Sequence, residues 1–154
     1  MSLYFLDSSA LVKRYVTETG SAWIKALSDP EKRNPLIIAR ITWVEVLSAL
    51  ARRQREASLT PDDVTRAALA FRYDLDMQYQ VAELDRALTE AAGELVTRHP
   101  LRAYDAVQLA SALRVQSELV RTRAPALTFL SADDRLVAIA QAEGLLTDNP
   151  NRHF

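Results

Sequence analysis

The chain has no cysteine, three glycines, two histidines and no apolar run near the ~18 to 20 residues that span a bilayer as a helix. Without cysteine there are no thiol nucleophiles, disulfides, iron–sulfur clusters or cysteine-ligated zinc, which agrees with a reducing compartment. Gly20, Gly93 and Gly144 lie too far apart for a GxxxxGK phosphate loop or a GxGxxG dinucleotide fingerprint, so nucleotide cofactors held by such loops are excluded. His99 and His153 are too few for a typical zinc enzyme, and any bound metal must be held by carboxylates and water. Nineteen basic residues against 20 acidic ones leave a net charge of -1, so global charge gives no argument for a nucleic-acid partner. The opening residues Met1 to Asp7 lack the basic region and long apolar run of a signal peptide, and no membrane association and a cytoplasmic location are expected.

What is present is enough for one compact unit over residues 1–154. Nearly half the residues are hydrophobic, and a chain this long can bury roughly 70% of the surface its unfolded form exposes. Short apolar runs at 3–6, 35–39 and 126–130 predict strands, the alternation of Tyr79 to Leu84 predicts another, and Leu145-Leu146 a further short one. Between them, longer segments predict helices at 10–16, 22–27, 41–55, 61–77, 85–98 and 104–116, and a last one from after Asp134 to Glu143. Thr60-Pro61-Asp62-Asp63 is a strong helix start, with a cap residue, proline at the first helical position and acids in the first turn. Strands alternating with helices predict an α/β layer fold with a mainly parallel sheet, whose ligands bind at the carboxyl ends of the strands.

Most acids sit in charged surroundings where a solvated face or a helix cap explains them. Four do not. Asp7 ends the first apolar strand, where an open α/β sheet presents ligand-binding side chains, although a helix cap is an equal reading. Glu45 lies inside Ile41-Thr42-Trp43-Val44-Glu45-Val46-Leu47-Ser48-Ala49-Leu50, a helix apolar on nearly every side. A buried unpaired carboxylate costs several kcal/mol, so it must neutralise, bind a metal or pair with a cation such as Arg14 or Arg40. Asp105 opens the apolar helix Ala103 to Leu113, where by itself a cap or first-turn acid explains it adequately, and Asp133 follows the fourth strand as Asp7 follows the first. Four carboxylates converging over one sheet edge would repel unless a divalent cation sat among them, and oxygen ligands select Mg²⁺ or Mn²⁺. The matching chemistry is metal-assisted phosphodiester hydrolysis.

At these residues the sequence resembles the PIN-domain ribonucleases, specifically VapC-type toxins of toxin–antitoxin pairs. The resemblance is carried by Tyr4 to Tyr15 (YFLDSSALVKRY), the isolated Glu45, Tyr104-Asp105-Ala106-Val107-Gln108-Leu109-Ala110 and Phe129-Leu130-Ser131-Ala132-Asp133, in matching order over nearly the whole chain. It implies a PIN-like three-layer α/β/α fold with about five strands. It implies Asp7, Glu45, Asp105 and Asp133 as the acidic cluster holding Mg²⁺ or Mn²⁺, with Ser8 or Ser131 orienting a carboxylate, a metal-bound water or a phosphate. A homodimer, a small VapB-like antitoxin that occludes the site, an RNA substrate and products with a 5′-phosphate and a 3′-hydroxyl are implied too. Many relatives carry histidine where Gln108 stands, a change expected to affect substrate contact or packing more than chemistry.

Gripping RNA requires positive charge. Residues 98–123 carry five arginines, Arg102 among them, against two acids, for a local charge of +3, and Lys13-Arg14 forms a second patch near Asp7. Tyr15 or Tyr104 is available for base stacking. Arg52, Arg53 and Arg55 are read as a solvated helix end, and the apolar stripe Val64, Ala67, Ala68, Phe71 and Leu75 as core or partner contact. A phosphoaspartyl phosphatase is disfavoured because Ser9 stands where its DxD pattern needs a second acid. A noncatalytic PIN-like RNA-binding or assembly module is the competing reading, and it predicts a broken acidic set.

Overall fold

A computed structural model describes residues 2–154. Five strands, β1 (Tyr4–Leu6), β2 (Leu36–Ala39), β3 (Gln80–Ala82), β4 (Thr128–Leu130) and β5 (Leu146–Asp148), form one sheet in the order β3-β2-β1-β4-β5. Every neighbouring pair is parallel, with Phe5 beside Ile37 on one side and Phe129 on the other. Seven α-helices fill the connections: α1 (Ser8–Tyr15), α2 (Ser21–Ser28), α3 (Thr42–Arg55), α4 (Pro61–Met77), α5 (Arg86–Arg98), α6 (Ala103–Arg121) and α7 (Asp134–Ala142).

Successive strand residues point to opposite faces, which divides the core in two. Leu6, Leu36, Ile38 and Leu130 pack with Leu11, Ile24, Val46, Leu50 and Phe71 from α1 to α4. Phe5, Ile37, Ala39 and Phe129 pack with Leu88, Leu95, Leu109 and Leu136 from α5 to α7. Both sheet faces are therefore covered, giving three α/β/α layers, and the inner strands β1, β2 and β4 read as short apolar runs because they are buried on two sides, whereas the edge strands β3 and β5 are partly exposed and mixed in sequence. α6 runs on to Arg121 rather than stopping near Gln116, because Val115 and Leu119 extend its apolar stripe onto the second core. The helix start at Thr60 is a capping box: the Asp63 N–H donates to Thr60 Oγ1 at 3.1 Å and the Thr60 N–H to Asp63 Oδ2 at 2.9 Å.

The chain travels outward from β1 to β2 and β3, then returns to place β4 on the other side of β1. The crevice between β1 and β4 at their carboxyl ends is thus the topological switch point, where open α/β sheets bind ligands. Asp7 directly follows β1 and Ser131 directly follows β4.

One backbone contact ties the C-terminal segment to this architecture. Gly20 adopts φ +85°, and a Cβ there would lie 2.4 Å from the Pro150 carbonyl oxygen. The left-handed conformation costs a side chain roughly 1–2 kcal/mol, and the contact with backbone adds overpacking. Gly20→Ala is expected to destabilise the protein by at least about 2 kcal/mol in urea unfolding, lowering the midpoint with little change in slope.

Candidate active site

The four anomalous acids line one cleft of about 630 Å³, together with Ser8, Ser9, Glu18, Val44 and the basic and aromatic residues Arg52, Arg53, Arg102 and Tyr104. Each acid arrives by a different route. Asp7 is the N-cap of α1, where Oδ1 accepts the Ala10 N–H at 2.9 Å and the Ser9 hydroxyl at 2.7 Å. Glu45 stands in the first turn of α3 and Asp105 in the first turn of α6. Asp133 caps α7, accepting the Arg135 N–H at 2.9 Å. Capping and cleft lining coincide at Asp7 and Asp133, because a parallel sheet points the starts of the following helices at its carboxyl edge.

Ser9 links the two central strand ends. Besides donating to Asp7, its hydroxyl accepts the Ala132 N–H at 2.9 Å and lies 3.4 Å from the Ser131 hydroxyl, which in turn accepts the Asp133 N–H at 3.1 Å. Ser131 is itself wholly buried below the cleft. Ser8 donates to Glu45 Oε2 at 3.1 Å, and Gln108 Nε2 donates to Glu45 Oε1 at 2.7 Å. Glu45 therefore pairs with neither Arg14 nor Arg40: Arg40 is held by Glu83, and Arg14 by Tyr79 and Asp74.

Three of the carboxyls hold their protons more tightly than free ones do. Burial pushes Asp7 up to about 6, against hydrogen bonds from Ser131, Ser9 and the Ala10 N–H. Burial raises Glu45 too, with a further push from the charge of Asp105, while Gln108 and Ser8 oppose it. Asp105 is raised by burial and then by the neighbouring Asp133, with Arg102 and Arg135 counteracting. Like charges that raise one another's proton affinity in a half-buried cleft are what a divalent cation relieves. The donor set, carboxylates and hydroxyls only, fits a hard cation such as Mg²⁺ or Mn²⁺. Among the described residues no three acids converge as a ready-made ligand group, so water must supply part of any coordination shell.

The basic residues are distributed differently from the sequence-based reading. Lys13 is buried and its Nζ lies 3.1 Å from Glu18 Oε1, while the Arg14 guanidinium donates to the Tyr79 hydroxyl at 2.7 Å. Neither borders the cleft, so neither is free to grip a phosphate there. Tyr15 joins the Arg14 cluster by donating to Asp74 Oδ2 at 2.7 Å, which leaves Tyr104, 60% exposed, as the aromatic at the cleft rim. Arg52 and Arg53, read from sequence as a solvated helix end, line the cleft beside Arg102, and Arg53 also bonds Glu18 at 3.0 Å. Ser9, Arg52 and Arg53 are the site residues that sequence reasoning missed, and Gln108, noted there only as a departure from the family pattern, was not connected to Glu45. For the arginines a signal existed, since they follow Glu45 by seven and eight residues and so share its helix face.

Residues 4–142 match the PIN domain family. Ribonuclease VapC45 of Mycobacterium tuberculosis is 35% identical over 144 residues, 94% of this chain and 93% of that protein. Among solved structures, Mycobacterium tuberculosis VapC20, a sarcin–ricin loop cleaving toxin, aligns with a TM-score of 0.62 at 18% identity over 94% of this chain and 97% of its own. A toxin–antitoxin complex from Klebsiella pneumoniae aligns with a TM-score of 0.61 at 19% identity over 96% and 97% of the two chains. At those identities the two structures speak to the fold.

Proposed function

This chain belongs to the PIN-domain family as a ribonuclease of the VapC toxin type, and from that membership we propose that its cleft is a divalent-metal-dependent endoribonuclease site. The observation that carries the reading is the meeting of Asp7, Glu45, Asp105 and Asp133 around one cleft at the β1/β4 switch point. Asp7 and Asp105 would be the principal metal ligands, Glu45 a ligand or the general base, and Asp133 a ligand through water or to a second ion. When bound, Mg²⁺ or Mn²⁺ supplies Lewis-acid stabilisation of phosphate charge and lowers the pKa of water.

The chain's own residues do the rest. Glu45, an acceptor held by Ser8 and Gln108, takes a proton from the attacking water. The water oxygen bonds to phosphorus as the P–O3′ bond breaks, leaving a 5′-phosphate, and the departing 3′-oxygen takes a proton from solvent. Arg52, Arg53 and Arg102 hold the flanking phosphates. Ser8 positions Glu45, and Ser131, buried beneath the cleft, holds the Asp133 backbone.

A small VapB-like antitoxin that covers the cleft and a homodimer belong to the same proposal, with the cytoplasm as the place of action. The Klebsiella pneumoniae complex supports the antitoxin. Leu69, Tyr73 and Met77, exposed at four-residue spacing on α4, are an apolar stripe of the kind that interfaces cover.

Antitoxin-free protein incubated with structured cellular RNA and Mn²⁺ is expected to release fragments whose 5′ ends are open to direct ligation and sensitive to phosphatase. Fragments with 5′-hydroxyl ends would refute this chemistry. Tyr104 is expected to stack a base at the rim. Stacking is worth ~1–3 kcal/mol per base, so Tyr104→Ala should raise KM about tenfold and leave kcat within about threefold in steady-state cleavage.

A further inference from the structure

Gln108 is 1% exposed, inside an otherwise apolar stretch of α6, and a leucine or methionine would fill the same space without polar cost. Its Nε2 donates to Glu45 Oε1 at 2.7 Å and to Thr42 Oγ1 at 2.8 Å, so both amide protons are used. Its Oε1 is buried with no partner. A buried orphan acceptor costs roughly 1–3 kcal/mol, and turning the amide over would set that oxygen against the Glu45 carboxylate. The amide is therefore held in one orientation, and what it supplies is a donor to Glu45.

Glu45 receives one donor on each oxygen, Ser8 from α1 and Gln108 from α6, so its carboxylate plane is fixed by two elements besides its own helix. Gln108 lies three residues after Asp105, on the same face of α6. One helix thus brings Asp105 to the cleft and, a turn later, clamps Glu45.

We propose that Gln108 is a positioning residue that orients Glu45 for metal binding and water activation. This rests on the role assigned to Glu45 above, and it replaces the expectation that the histidine-to-glutamine difference at this position concerns substrate contact or packing. Gln108 touches neither the cleft surface nor any rim arginine, and it acts through Glu45.

The test is a double-mutant cycle of Gln108→Leu with Glu45→Gln, read on Mn²⁺ affinity by calorimetry without RNA and on kcat and KM with RNA. Loss of a partner that orients a metal ligand costs about 10–100-fold in metal affinity or activity. Gln108→Leu should lower Mn²⁺ affinity and kcat within that range and leave KM nearly unchanged. In the Glu45→Gln background it should add less than about twofold in Mn²⁺ affinity, since the group it acts through is altered. Gln108→His, which restores a ring N–H donor, should recover most of the loss. If Gln108→Leu does not fold, Gln108→Asn keeps the amide but falls short of Glu45 and should show the same loss. Folded Gln108 variants with native Mn²⁺ affinity and kcat, or an equal loss in both backgrounds, would overturn the proposal. Full activity in Glu45→Gln itself would instead overturn the role of Glu45 and leave the geometry of the clamp intact.

Discussion

Asp7→Asn is expected to abolish RNA cleavage and to make the metal-free protein more stable at neutral pH. The carboxyl is buried at the end of β1, and its proton affinity is raised from the ordinary 3.8 to about 6. The folded state therefore binds the proton more tightly than the unfolded chain. Stability from this group is present below the unfolded value and is lost as pH rises through about 6. The difference corresponds to about 3 kcal/mol at neutral pH. Asparagine keeps an oxygen to accept from the Ala10 N–H and the Ser9 hydroxyl, so the cap on α1 survives while the charge goes. Thermal midpoints should rise by about 6–12 °C at pH 7, and the gain should nearly vanish at pH 4. Cleavage should fall at least about 100-fold, because the lost ligand was worth several kcal/mol of transition-state charge stabilisation. A variant that stays active, or whose stability gain does not shrink on acidification, would contradict the assignment.

The second large effect is expected at Asp105. This group is partly buried, and its raised proton affinity comes from burial and then from the charge of the neighbouring Asp133. Asp105→Asn removes the carboxylate and with it the repulsion on Asp133, so the structure should tolerate it. Mn²⁺ binding should weaken by at least about tenfold and cleavage by at least about 100-fold, since both depend on the same donor. Circular dichroism and thermal midpoint should stay near those of the parent. Unchanged Mn²⁺ affinity in the folded variant would remove Asp105 from the ligand set.

Both variants belong to a site that was legible in the sequence for a definite reason. Glu45 stands in an apolar helix where a carboxylate has no ordinary explanation; Asp7 and Asp105, which a helix cap or first turn could explain singly, and Asp133 gain their meaning as a set, at strand ends and helix starts that the alternation of strands and helices brings to one sheet edge. The sheet was legible on the same grounds, because strands buried on both faces read as short continuous apolar runs. What the sequence does not display is which way a helix carries its side chains in space. Lys13 and Arg14 are six and seven residues beyond Asp7, which on a helix rising about 1.5 Å per residue places them about 9 and 10.5 Å away along α1. There Glu18, Tyr79 and Asp74 take them up. Arg52 and Arg53 follow Glu45 by seven and eight residues, which on one helix is the same face, and with Ser48 and Ala49 they line the cleft that Glu45 enters; that spacing was in the sequence, but a run of arginines at a helix end reads first as a solvated terminus. Gln108 stood out in the sequence as a departure from the family pattern, but its link to Glu45 appears only with its two donated hydrogen bonds.

The most direct measurement is the rate of RNA cleavage by antitoxin-free protein as Mn²⁺ is titrated from zero, in the presence and absence of excess chelator, with Asp105→Asn run in parallel. The expected result is a saturating rise with Mn²⁺ in the parent, abolition by chelator, and a variant that stays at baseline across the range. Cleavage that persists in chelator, or a variant that follows the parent curve, would contradict a carboxylate-held metal as the source of the activity.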